Sequence, residues 1–292
     1  MIGRALCEEL AAPGNEIVVL TRRPDAVVGL PAGVRAECWD GRSTEGWQAL
    51  ADGAEAIVNL AGENIGAGRW TAGRKRRIVE SRLDACRAVV EAIEAAARRP
   101  RVLVQASAVG YYGPRGDEPV GEEEPPGDDF LATTCRAWEA ATVRIEELGV
   151  RRVLVRTGIV LSKEGGALPR LLLPFRLFAG GPLGSGRQGF PWIHIADEVR
   201  AIRFLIEDSA ARGPFNLSAP DPPNNRAFCR AVGRVLHRPS WLPAPAFALR
   251  MVLGEMSALI LEGQRAVPRR LIQSGFGFRF TDPESALANL LR

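Results

Sequence analysis

With 292 residues, 46% of them hydrophobic and 25% charged, the chain has the make-up of an ordinary globular protein, large enough for one α/β domain with an attached lobe. Thirty-eight basic and 34 acidic residues leave a net charge of only +4, and the arginines are dispersed among glutamates. That argues against a nucleic-acid tract, and the one basic cluster, GRKRR at 73–77, reads as the solvated start of a helix. No apolar run approaches the roughly 18 residues of a membrane span and no signal peptide is visible, so a cytoplasmic location is expected, with neither nucleic acid nor membrane as a partner. The five cysteines are far apart and never form C-x-x-C, so no disulfide framework and no metal site is expected.

Ala5, Leu6 and Leu10 recur at a helical period behind Gly3, Pro13 and Gly14 end the pattern, and Glu16–Thr21 is a short apolar run of strand composition. Further strand-like runs follow at Val34–Trp39, Ala56–Ala61, Val102–Ala108, Arg152–Leu161 and Pro214–Ser218, with helical patterns at Arg74–Ala97, Asp129–Leu148 and Ile195–Ile206. Strands alternating with helices predict right-handed crossovers and a doubly wound, Rossmann-like α/β sheet over residues 1–220. From Asp221 the texture changes to helices with proline-rich joints, which predicts a smaller C-terminal substrate or lid lobe over residues 221–292.

In a dinucleotide-binding βαβ unit a strand and two glycines precede the helix, and a last glycine lets the helix pack close to the sheet. Gly3 has the position of that last glycine. The first strand, which belongs between Glu16–Thr21 and Ala56–Ala61, is therefore expected to be missing because the start was assigned too late or the chain was truncated. About ten residues ending in a glycine turn are then expected upstream.

Thr21-Arg22-Arg23 follows the Glu16–Thr21 strand, where a Rossmann unit meets the adenosine ribose. An acid there binds the 2′-hydroxyl of NAD, whereas an arginine suits the 2′-phosphate of NADP. Two exposed arginines in a turn would look the same. Leu60-Ala61-Gly62 closes a strand with small residues that admit a cofactor to the backbone. Ser107 ends another strand, with Tyr111 and Tyr112 just beyond, at the sheet edge where open α/β folds bind ligands. A serine that merely caps a backbone group is the alternative. The loop GGPLGSG at 180–186 leads into an aromatic strand carrying Trp192 and His194, and then a helix with Asp197. His194 has no second ligand at metal spacing, so Trp192 and His194 are expected in a structural or substrate-lining role.

The segments IGRALCEEL, VVLTRRP, VNLAGENI, ASAVGYYG, LVRTGIVLS, GGPLGSGRQGFPWIHIADEV, GPFNLSAP and LEGQRAVPRRL span nearly the whole chain. In them it resembles the extended short-chain dehydrogenase/reductase superfamily, and within it the atypical "epimerase family" subgroup. The resemblance implies that Thr21, Arg22, Leu60, Ala61 and Arg82 contact NADP(H), with Arg23 and Gly62 beside them, and that Ser107 holds the substrate oxygen. Typical members also carry Y-x-x-x-K on one helix face, the tyrosine exchanging a proton and the lysine binding the nicotinamide ribose. With Trp138-Glu139 as anchor, the matching positions here are Leu131 and Cys135, neither of which can do that work. Three functions stay open: an NADP(H)-dependent oxidoreductase with a carbonyl or sugar-like small-molecule substrate, using Ser107 and Tyr111 or Tyr112; a non-catalytic NADP(H)-binding protein; and a nucleotide-sugar epimerase. The oligomeric state is not legible.

Overall fold

The computed structural model describes residues 1–291. The strands are β1 (Ile17–Thr21), β2 (Val34–Cys38), β3 (Ala56–Asn59), β4 (Val102–Ala108), β5 (Pro119–Val120), β6 (Arg151–Thr157), β7 (Ile159–Ser162), β8 (Gly165–Gly166), β9 (Trp192–His194), β10 (Gly213–Leu217) and β11 (Arg265–Ala266). The helices are α1 (Ile2–Leu10), α2 (Ala72–Ala95), α3 (Phe130–Ala140), α4 (Arg144–Glu147), α5 (Leu168–Arg176), α6 (Ile195–Glu207), α7 (Asn225–Leu236), α8 (Ala246–Leu253), α9 (Ala258–Leu261), α10 (Arg269–Gln273) and α11 (Pro283–Leu291). Side-chain caps start several of them. Thr71 accepts from Arg74 N at α2, Asp129 from Ala132 N at α3 and Asn224 from Ala227 N at α7.

The main sheet is parallel, in the order β10-β6-β4-β3, and β1 pairs with β2 in a separate parallel ladder. β1 and β3 are not paired with one another, and the four-stranded parallel sheet is that of a Rossmann-like fold. Side chains alternate across the sheet. Val102, Val104 and Ala106 of β4 join a core with Leu6 of α1 and with Val199, Ile202 and Leu205 of α6. Leu103 points the other way, into a core with Ala85, Val89 and Ile93 of α2 and Ile145 of α4. Both faces are therefore covered by helices, the arrangement that keeps a parallel sheet dry.

The long run Arg152–Leu161 is two strands rather than one. Gly158 separates them because a Cβ there would lie 2.1 Å from Pro191 O, and the chain passes at that point from the main sheet into a second one, ordered β8-β7-β9. The helix expected over Asp129–Leu148 is also broken. Arg152 Nη1 donates to Glu139 O at 2.9 Å, and the chain turns through Thr142 before α4 resumes. A third core, under the second sheet, gathers Leu168, Leu172 and Phe175 of α5, Trp192 of β9, Phe228 and Val232 of α7 and Leu287 of α11.

Candidate functional site

The carboxyl ends of β3, β4 and β6 lie along one edge of the main parallel sheet. The register of β4 against β6 sets Ser107 opposite Arg156. Ser107 Oγ donates to Glu139 Oε1 at 2.7 Å, and Glu139 projects from α3 to take two further bonds from Arg156: Nε to Oε1 at 2.8 Å and Nη2 to Oε2 at 2.9 Å. Arg156 Nη1 donates to the Tyr112 hydroxyl at 3.0 Å and to Glu122 O at 3.1 Å, while that hydroxyl passes its own proton to Asn216 Oδ1 at 2.7 Å. Glu122 in turn accepts from Asn216 N at 3.0 Å, which joins β10 to the network. Burial alone would lower the Arg156 guanidinium, but the paired Glu139 more than offsets this and raises it. A fully desolvated cation thus has a bidentate partner in fork geometry.

Sequence reasoning missed this network. It had used Glu139 only to anchor the helix alignment, and it had passed over Arg156 as part of an apolar strand. The available signal was the charge itself, because an arginine inside RRVLVRT must find a carboxylate once both sheet faces are covered.

The network separates the two tyrosines. Tyr112 is fully buried, its hydroxyl is held at both ends, and burial pushes its pKa up to about 12. It is sealed off from any substrate. Tyr111 is half-buried, takes no part in the hydrogen-bond network, and lies with its ring 3.5 Å from the Arg156 guanidinium.

On the cofactor side, Arg22 and Arg23 are exposed beyond β1, and neither has a carboxylate partner among the described residues. Thr21 Oγ1 accepts from Arg23 N at 3.4 Å and shapes the turn. Ala61 N donates to Asn59 Oδ1 at 3.1 Å, and Leu60 packs toward α1. Arg82 of α2 donates to Glu63 O at 3.2 Å and Ile78 O at 2.9 Å, and stacks over Trp138 at 4.7 Å. A Cβ on Gly62 would come within 3.2 Å of Arg82 Cζ, so the glycine makes room for the guanidinium. Arg82 lies close enough to Cys135 of α3 for its charge to favour the thiolate, against the larger effect of burial. The Cys135 thiol itself, pushed up to about 12 by burial, is neutral and unreactive at neutral pH.

A Cβ on Gly3 would sit 4.0 Å from Leu60 Cδ1, an ordinary contact with the residues present. Of the structural and substrate-lining roles expected for Trp192 and His194, the geometry fits the structural one. Trp192 does not line a substrate cleft: it is fully buried in the core under the second sheet. His194 is likewise buried, its Nδ1 accepting from Ala196 N at 3.0 Å as the cap of α6 and its ring stacked 3.9 Å from Phe280. The glycine loop before them is a joint between parts of the chain, because a Cβ on Gly181 would lie 2.1 Å from Leu242 O. Among the described residues no group of histidines, cysteines and carboxylates could hold a metal ion, and no helix is long and apolar enough to cross a membrane.

Comparison with known proteins fits this geometry. Residues 244–290 match a domain of unknown function. The chain is 44% identical over 235 residues to the epimerase family protein YfhF of Bacillus subtilis, covering 80% of this chain and 77% of that one. It is 40% identical to the chloroplastic SDR39U1 homolog of Arabidopsis thaliana, over all of this chain and 84% of that one. Among solved structures, the human epimerase family protein SDR39U1, determined with NADPH, superposes with a TM-score of 0.86 at 34% identity over 99% of this chain and 95% of that one. The pattern of the NAD dependent epimerase/dehydratase family matches residues 1–218, and the chain belongs to that family.

Proposed function

We propose that this protein is an NADP(H)-dependent oxidoreductase acting on a small carbonyl or sugar-like substrate. The observation that carries the reading is the pair of exposed arginines beyond β1, free of any carboxylate among the described residues. A ribose 2′-hydroxyl calls for an acid at this place, whereas a 2′-phosphate calls for a planar cationic donor. The determination of the human relative with NADPH agrees with that choice. Thr21 shapes the turn that presents Arg22 and Arg23 to the phosphate. Leu60, Ala61 and Gly62 give the cofactor a low wall at the end of β3. Arg82, held by two carbonyls and the Trp138 ring, supplies the cation on the ribose side that Cys135 cannot.

The bound cofactor would supply the hydride, leaving the protein to orient the substrate oxygen and hold its proton. In this structure the Ser107 proton points to Glu139, so polarising a carbonyl requires the hydroxyl to turn from a charged acceptor, a bond worth about 1.5–3 kcal/mol. Tyr111 has no such commitment and is the better placed of the two tyrosines to donate. The same engagement of Ser107, with Tyr112 sealed, favours a second reading in which the protein binds NADP(H) without turnover. An epimerase reading needs the acid–base tyrosine that Leu131 replaces.

A panel of carbonyl substrates followed by NADPH absorbance, run on the wild type and on Ser107→Ala and Tyr111→Phe, separates these readings. The oxidoreductase reading expects turnover that falls in both variants; loss of an oriented oxyanion donor costs roughly 100- to 1,000-fold. NADPH binding with no turnover across the panel would establish the binding protein instead.

A further inference from the structure

Away from the sheet edge, the carboxyl end of α7 borders an open surface hollow of about 510 Å³ lined by Arg230, Gly233, Arg234, His237, Arg238 and Ser240. No carboxylate lines it. Glu284 pairs with Arg234 from outside, at 2.5 Å, while Arg230 and Arg238 have no carboxylate partner among the described residues. Ser240 presents a buried hydroxyl with no hydrogen-bond partner. The carboxyl end of a helix already carries partial negative charge, so a few arginines near it are ordinary. Three guanidinium groups and a histidine around one hollow exceed that need.

The backbone marks the same place. Only two non-glycine residues among those described adopt left-handed backbone, His237 at φ 53° and Phe178 at φ 59°. Each follows a helix end, α7 and α5, where glycine is the unstrained choice. His237 lines the hollow, and Phe178 carries the stacked Arg238 guanidinium 4.3 Å from its ring. The two turns meet beside the hollow through the stack of Arg238 on Phe178. Trp241 follows Ser240 directly, its amide bonded to Gly180 O at 3.1 Å and its indole 68% exposed. Trp241 is outside the lining itself but next to Ser240 in the chain, and its exposed indole offers a stacking face to an aromatic base.

We propose that this hollow is a binding site for a nucleoside polyphosphate, separate from the dinucleotide edge. The phosphates meet Arg230, Arg238 and the Ser240 hydroxyl, and the base stacks on Trp241. The proposal is independent of the NADP(H) reading, because none of its residues comes from the carboxyl ends of β1, β3 or β4.

The test titrates ADP and, separately, pyrophosphate into the protein by calorimetry, with tryptophan emission followed for ADP. Wild type, Arg230→Ala, Arg238→Ala, Trp241→Ala and Arg22→Ala are compared, each checked for native circular dichroism. ADP should quench emission and bind more weakly as salt rises. Its affinity should fall about tenfold or more in Arg230→Ala and in Arg238→Ala, and remain in Arg22→Ala. Trp241→Ala should weaken ADP and leave pyrophosphate unchanged. Absence of ADP binding overturns the proposal, and so does ADP binding that Arg230→Ala and Arg238→Ala leave unchanged or that saturating NADPH abolishes, either of which places the nucleotide at the cofactor edge. ADP binding that Trp241→Ala does not weaken overturns the nucleoside assignment and leaves a plain phosphate site.

Discussion

Replacing Glu139 by glutamine changes one atom and removes the counter-charge from a guanidinium whose side chain is only 4% exposed. Three bonds converge on this carboxylate: two from Arg156 at 2.8 and 2.9 Å and one from Ser107 at 2.7 Å. The amide can keep one oxygen acceptor, but its NH2 would face a donor. Breaking a buried pair on one side costs about 3–5 kcal/mol, because the remaining charge stays desolvated. At about 2–4 °C per kcal/mol for a chain of this size, Glu139→Gln should lower the melting temperature on the order of 10 °C. Urea unfolding followed by tryptophan emission gives the free energy directly. The double variant Glu139→Leu with Arg156→Met removes both charges and should lose clearly less than the two single changes summed. A loss below about 1 kcal/mol in Glu139→Gln, or strict additivity in the double variant, would refute the claim that this pair acts as one buried unit.

Other consequences follow from burial. Glu198 is wholly buried on α6, accepts from Thr157 Oγ1 at 2.8 Å, and is pushed up to about 8 by desolvation, from an ordinary value of 4.5. The folded state therefore keeps a proton that the unfolded chain releases, so the stability this group contributes is complete below pH 4.5 and is lost as pH climbs toward 8. Glu198→Gln should flatten that decline, gaining on the order of 1 kcal/mol or more over wild type at pH 8 in urea unfolding. A variant whose pH profile parallels wild type would show that the carboxyl is not the source. Of the five cysteines, Cys38 alone is exposed, and burial pushes Cys86, Cys135 and Cys229 up to about 12. A thiol reagent such as Ellman's should titrate one group in the native protein and five after denaturation; rapid native labelling at Cys135 would contradict its burial.

The fold was legible wherever local chemistry and global packing agree. Apolar runs such as VLVQASA became strands with few changes of boundary, and the order of strands and helices was enough to name the doubly wound sheet. Errors fell where a distant group sets the local conformation. Gly158 looks like an interior strand glycine until Pro191 arrives beside it, and the helix after Asp129 stops because Arg152, from the next strand, takes the Glu139 carbonyl. The candidate site was legible at its rim, in Arg22, Ser107 and Tyr111, where position along the chain gives position at the sheet edge. Its interior was not. The distances among Ser107, Glu139, Arg156, Tyr112 and Asn216 arise from four separate segments, and no spacing in the sequence encodes them. Trp192 and His194 could not be told from a binding wall for a related reason: an aromatic residue and a histidine after a glycine loop suit either role, and only Phe228 of α7 and Phe280, ahead of α11, draw them into the core.

The central claim is the selection of a 2′-phosphate by the arginines beyond β1, and calorimetric titration of NADPH and of NADH into wild type and Arg22→Ala tests it most directly. Wild type should prefer NADPH, and Arg22→Ala should lose about 1.5–3 kcal/mol of NADPH affinity, the worth of a charged hydrogen bond, while NADH binding stays nearly unchanged. Equal affinity for NADPH in the two proteins, or a wild type that binds NADH as tightly as NADPH, would contradict the account.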